Sequence, residues 1–190
     1  MKQVTKKQRV LDAALHLFVE QGITETSTAQ IAKTAGVATG TLFHHFPSKQ
    51  QLIESLYLDL KQQLVNSLLL DGSIQNQEQA FDVWRKALSW SCDNRLAFSF
   101  FTLYYTTPFI EKSFRDHALN SVFDFLMQFI KKQIEADCFV AAPTDFIAMH
   151  IQQSLMSAAN FLIESKKEKQ FEEVARLSFD MCFNGIIKRN

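Results

Sequence analysis

The sequence predicts an all-α fold of about nine helices, and three observations carry that reading. Gly and Pro are scarce, at 5 and 3 of 190 residues, which disfavours a turn-rich β architecture. Apolar residues recur at helical spacing, and no segment alternates convincingly as a strand would. Ser three residues before Gln, a helix-start signature, occurs at Ser27-Gln30 and Ser48-Gln51. The 47% hydrophobic content supports a real core and excludes wholesale disorder, and the length suits one domain and a small second one.

The elements follow in order. Residues 5–21 place Val10, Ala14, Leu17, Phe18 and Gln21 near one helical face, with Gly22 as C-cap. Ser27 opens a short helix that ends at Ala35-Gly36-Val37, where Gly36 suits a left-handed turn. A second short helix covers about 39–45 and meets Phe46-Pro47. Ser48 then caps a long helix running to about Leu70, with Leu52, Leu56, Leu60 and Leu64 at four-residue steps. Asn76 caps a helix to about Cys92, and Arg95–Tyr105 forms the next. Thr107-Pro108 marks a further helix start. That pattern continues to about Asp137, with a break expected near Arg115-Asp116. The last two helices span about 143–165, from Pro143, and about 168–187.

Charge narrows the function classes only when the chain is divided. Twenty basic and twenty acidic residues cancel. Residues 1–50, however, hold six Lys/Arg against three Asp/Glu, while the remainder is mildly acidic. A basic end points modestly to a polyanion. Composition also shifts near residue 50, since only Phe18, Phe43 and Phe46 of the 18 Phe lie before it. The domains expected are 1–50 and 51–190. Cys92, Cys138 and Cys182 lie far apart, giving neither a disulfide framework nor a metal knuckle, and read as buried thiols. The apolar stretches 96–110 and 146–163 are too short or too polar for a membrane helix, and no leader pattern is visible. A cytoplasmic protein with no membrane partner is expected.

Residues 26–49 are a helix-turn-helix candidate. Ile31, Ala32 and Ala35 form the inner face of its first helix, and Val37 and Leu42 fill the space beneath the second. The small residues Thr39, Gly40 and Thr41 leave the start of the second helix slim enough for a DNA major groove. Together with Arg9–Phe18, Gly22 and Phe46-Pro47-Ser48-Lys49, this pattern over about residues 6–56 resembles the TetR family of bacterial transcriptional repressors.

The resemblance implies a homodimer on a near-palindromic double-stranded operator. It also implies a larger C-terminal helical domain that binds a small-molecule effector and dimerises through its last two helices. Carried over position by position, it assigns DNA contacts to Thr28, Ala29, Thr39, Gly40, Thr41, Phe43, His44 and Lys49. Phe43 stands where the family commonly has Tyr, so a phosphate-bonding hydroxyl is missing. Ala38 stands where Ser often caps the recognition helix. Lys49 matches the family's phosphate-binding lysine. Lys2, Lys6, Lys7 and Arg9 are further phosphate-contact candidates. Metal at His44-His45 is disfavoured, because adjacent side chains diverge on a helix and no third ligand is near; no cofactor is expected.

In the larger domain, Phe98, Phe101, Tyr104 and Tyr105 crowd one helix, with Trp84, Leu88, Phe125 and Phe129 as facing candidates. These eight are the expected lining for a hydrophobic or aromatic effector. In the last two helices, small residues (Ser154, Ser157, Ala158, Ala159, Ser178, Cys182, Gly185) lie among large ones on more than one face (Phe146, Ile147, Ile151, Leu155, Phe161, Leu177, Phe179, Phe183). A four-helix dimer interface is expected there. No catalytic motif supports an enzyme, and a helix-turn-helix used for protein contact is the remaining alternative.

Overall fold

The computed structural model describes residues 5–68, 74–106, 124–165 and 170–188. Among them are nine α-helices: α1 (Lys6–Gln21), α2 (Thr28–Thr34), α3 (Thr39–His45), α4 (Lys49–Ser67), α5 (Gln77–Asp93), α6 (Arg95–Thr106), α7 (Asp124–Glu135), α8 (Thr144–Ser165) and α9 (Phe171–Ile186). The described residues hold no strand; Phe139 and Ile187 form one isolated antiparallel bridge. The all-α expectation therefore holds. The helix start expected at Thr107-Pro108 and the break at Arg115-Asp116 lie outside the described residues, as does Lys2.

Local chemistry sets the boundaries. The Thr5 hydroxyl accepts from the Gln8 N–H and opens α1, which ends at Gly22 with φ +89°. Ser27 Oγ accepts from the Gln30 N–H at 3.2 Å and Ser48 Oγ from the Gln51 N–H at 3.1 Å, as the sequence predicts. The Gln30 side-chain amide N–H donates to Gln21 Oε1 at 2.8 Å, and Gln21 is exposed rather than on the buried face of α1. Asn76 accepts from the Gln79 N–H and opens α5. α7 stops at Glu135, short of Asp137, because Asp137 turns to φ +57° and Cys138 N–H bonds back to the Gln133 carbonyl.

The chain forms two compact units. One comprises Met1–Gln62 with Asn94–Asp116, the other Gln63–Asp93 with His117–Asn190. The division between the units falls inside α4, and α6 belongs to the unit that holds α1–α3. The physical reason is aromatic: α6 packs on α1, with Phe100 stacked on Phe18 at 6.1 Å, both fully buried. In the second unit α8 packs against α5, α7 and α9, and α9 also against α5. A run of rings, Phe129, Phe139, Phe183 and Phe179, joins α7 to α9 with centroid spacings of 5.8, 6.1 and 4.0 Å.

Candidate functional site

The helix-turn-helix is built from the inside outward. Ile31, Ala32, Ala35, Leu42 and Phe46 are buried, and the alanines keep α2 and α3 close, as the sequence predicts; Val37 is only half-buried. Gly36 takes φ +63°, its N–H bonds to the Lys33 carbonyl, and Val37 N–H bonds to the Ala32 carbonyl, closing the turn. Thr26 anchors the approach to α2. It is fully buried and its hydroxyl bonds to the carbonyls of Gly22 at 2.8 Å and Leu17 at 3.2 Å. Sequence reasoning passed over Thr26, since a threonine before a cap looks like an ordinary loop residue.

The outer face of this unit carries the predicted contact residues. Ala29, Thr39, Gly40 and His44 are exposed, Phe43 is 41% exposed, and Thr28 and Thr41 are half-buried. α3 starts at Ala38 without a side-chain cap, so its first N–H groups are left to solvent or a ligand. A groove of about 430 Å³ runs between the 24–28 segment, Phe43 and Lys49.

Lys49 departs from a free phosphate-binding lysine. Its ammonium donates to the Thr24 carbonyl at 3.1 Å, and partial burial pushes it below the usual lysine range against the pull of Glu25. An ammonium carries three protons, so this bond does not exhaust it. Lys7 sits over the Phe46 ring at 5.9 Å. The guanidinium of Arg9 comes within 3.5 Å of where a Cβ on Gly36 would lie. The His44 and His45 rings meet edge-on at 5.4 Å, and no group of three potential metal ligands occurs among the described residues.

The eight residues expected around an effector divide evenly. Phe98, Phe101, Tyr104 and Tyr105 belong to the first unit. Trp84, Leu88, Phe125 and Phe129 belong to the second. Trp84 is committed to its own core: its indole N–H donates to Ser178 Oγ at 3.1 Å and its ring meets Phe179 edge-on. Phe129 is likewise buried against Phe139. In the first unit, Tyr104 stacks on Tyr57 at 4.1 Å, and the Tyr57 and Tyr105 hydroxyls lie 2.8 Å apart. Lys61, almost wholly buried, places its ammonium 4.2 Å from the Phe101 ring centre and 5.4 Å from that of Tyr57. Burial pushes it below the usual lysine range, opposed by Tyr105. Neither Tyr57 nor Lys61 stood out in a helix marked by its leucines.

The expected interface residues divide between buried and surface positions. Ile147, Ile151, Phe179 and Phe183 are buried; Ala158 and Cys182 are buried too, but line the groove between α8 and α9. Phe161 of the expected set is exposed, and so are Phe146, Met149, Leu177 and Met181, the last two 58% and 70%. Ser154, Leu155 and Ser178 lie half-buried between the two sets. Between the helices lies a groove of about 540 Å³, lined by Ser154, Ser157, Phe161, Leu177, Met181 and neighbours. Of the three thiols expected to be buried, Cys182 is buried, Cys92 is half-buried and Cys138 is exposed on the turn after α7.

Comparison with known proteins fits this geometry. Residues 10–56 match the model for bacterial regulatory proteins of the tetR family. Over 51 residues the chain is 43% identical to the HTH-type transcriptional regulator AcrR of Shigella flexneri, covering 27% of this chain and 24% of that protein. Over 55 residues it is 34% identical to the HTH-type transcriptional repressor KstR2 of Mycolicibacterium smegmatis, covering 29% of this chain and 27% of that protein. The match thus spans about a quarter of the length of these curated relatives.

Solved structures extend the likeness. A crystal structure of a protein assigned to the tetR family of transcription regulators, from Shewanella sp. PV-4, matches with a TM-score of 0.90 and 35% identity, over 97% of this chain and all of that one. A TetR family transcription regulator from Marinobacter aquaeolei VT8 shares the fold, with a TM-score of 0.82 and 16% identity over 97% of this chain and 96% of that one. No described helix is long and apolar enough to cross a membrane. With a helix-turn-helix in place and 35% identity sustained along the whole Shewanella chain, this chain belongs to the TetR family of bacterial regulatory proteins, which are DNA-binding transcriptional regulators and not enzymes.

Proposed function

We propose that the protein is a dimeric transcriptional repressor that binds a near-palindromic operator and is modulated by a small hydrophobic or aromatic effector. The observation that carries the DNA-binding reading is the α3 face. Leu42 and Phe46 are sunk in the core, while Thr39, Gly40 and Phe43 stand in solvent at the start and middle of the helix. That arrangement lets the helix enter a major groove with its N-terminal residues on base edges.

Dimerisation is supported by the outer face of α8 and α9. Five large apolar side chains exposed on two adjacent helices are unusual for a monomer, and a second copy related by a two-fold axis would cover them. The effector reading is supported by the aromatic side of α6. Because α6 is part of the unit that holds α1–α3, a ligand bound against Phe98, Phe101, Tyr104 or Tyr105 acts on the unit that would read DNA. To release the operator, it must favour one conformation over another by differential affinity.

Selection of duplexes from a random pool tests the reading. The expected winner is near-palindromic, with half-sites about one DNA turn apart, roughly 34–36 Å. Compounds are then screened for a change in affinity for that duplex. Failure to enrich any sequence would sink the proposal, and an effector that leaves operator affinity unchanged would sink induction by that compound.

A further inference from the structure

We propose that this protein reads its operator through thymine methyl groups, met by the apolar surfaces of Ala29, Thr39, Thr41 and Phe43. The inference rests on the DNA-binding reading above and deepens it by naming the base feature recognised. In the major groove, guanine is read by Arg or Lys, adenine by Asn or Gln, and cytosine by Asp or Glu, whereas thymine alone presents a methyl group to apolar side chains. α3, with the sequence Thr39-Gly40-Thr41-Leu42-Phe43-His44-His45, contains none of the six side chains that read the other three bases.

The start of α2 adds apolar surface. Ala29 is exposed and apolar, and Gln30 beside it gives one amide N–H to Gln21 Oε1. Instead the surface offers the methyl-bearing residues Ala29 and Thr39, both exposed, the half-buried Thr41, and the exposed ring of Phe43. The threonine hydroxyls hydrogen-bond to any base edge and so discriminate little. Gly40 lies between the two threonines, and a Cβ built on it meets nothing within 4 Å. The bare backbone there lets a groove wall come close enough for methyl-to-methyl contact.

The test titrates the full chain with its selected operator and with duplexes in which single thymines are replaced by deoxyuridine, which removes only the methyl. One lost methyl contact corresponds to about fourfold in affinity. Two or more positions per half-site should therefore each weaken binding by roughly threefold to tenfold. Thr39→Ser and Thr41→Ser remove the protein's methyl and keep its hydroxyl. At the partnered position, the penalty for losing the thymine methyl should then shrink toward none, and a helical circular dichroism spectrum confirms the fold. Uniform indifference to deoxyuridine on a duplex that the protein does bind would overturn the methyl reading and leave DNA binding standing. Failure to enrich any duplex would overturn the DNA-binding reading and this inference with it.

Discussion

The outer face of α2–α3 and the outer face of α8–α9 are both surfaces that a single subunit leaves in water, but their chemistry is opposite. The first presents small uncharged groups (Ala29, Thr39, Gly40) beside the rings of Phe43 and His44. The second presents large flexible ones, Met149 and Met181, beside Phe146, Phe161 and Leu177. Slimness and open backbone suit a groove whose walls are fixed. Bulk and apolar area suit a partner that offers the same surface in return. The difference shows that exposure alone is a weak guide to function, and that the size and polarity of what is exposed distinguish the partners.

The largest effect should come from charging the α8–α9 face. Leu177→Lys combined with Met181→Lys places two ammonium groups where the account buries apolar side chains, and both positions are more than half exposed in the subunit. The subunit should keep its helical spectrum but run as a monomer by light scattering at micromolar concentration. Operator affinity should fall roughly 100-fold or more, because the half-sites are no longer bound together. A double variant that remains dimeric would place the interface elsewhere.

Next comes Gly40→Ala on the α2–α3 face. A Cβ there meets no atom within 4 Å, and alanine is the better helix former by roughly 0.5–1 kcal/mol, so thermal stability should rise. Operator affinity should fall about tenfold, the loss of about 1.4 kcal/mol expected when a methyl stands off the groove wall. Opposite signs in the two measurements would sharpen the comparison, since a structural glycine would lose stability. Unchanged affinity would mean that the α3 backbone does not approach DNA closely.

How much was legible in the sequence follows the same division. The helix-turn-helix is written in signals that act within three or four residues: the Ser27 and Ser48 caps, Gly36 at φ +63°, and the alanines between α2 and α3. Such signals can be read without knowing the rest of the chain. The membership of α6 could not be read, because the Phe18–Phe100 stack joins residues 82 positions apart. Nor could the inner side of α8 and α9 be told from the outer. Both helices are apolar around more than one face, so helical spacing fits Ile147 and Phe146, or Phe179 and Met181, equally well. Only packing against α5 and α7 decides between them.

Two smaller effects complete the set. Ala38→Ser supplies the hydroxyl that α3 lacks at its N-cap and should stabilise the chain by about 1 kcal/mol in denaturant unfolding. Unchanged stability would mean that the α2–α3 turn already fixes the start of the helix. The thiols report on the other face. Burial pushes the Cys182 thiol above its usual range, with a hydrogen bond to Ser154 pulling it back, so less thiolate is present at a given pH. Alkylation should therefore modify exposed Cys138 well before Cys182. Equal rates would mean that the α8–α9 groove opens readily.

Sedimentation of the protein with its selected duplex, repeated across salt concentrations, shows whether the two faces work together, one holding a second copy and the other holding DNA. Two chains per near-palindromic site are expected. Affinity should also fall steeply and linearly on logarithmic axes, by about 0.9 units of slope for each phosphate neutralised. One chain per duplex, or an affinity indifferent to salt, would contradict that joint action.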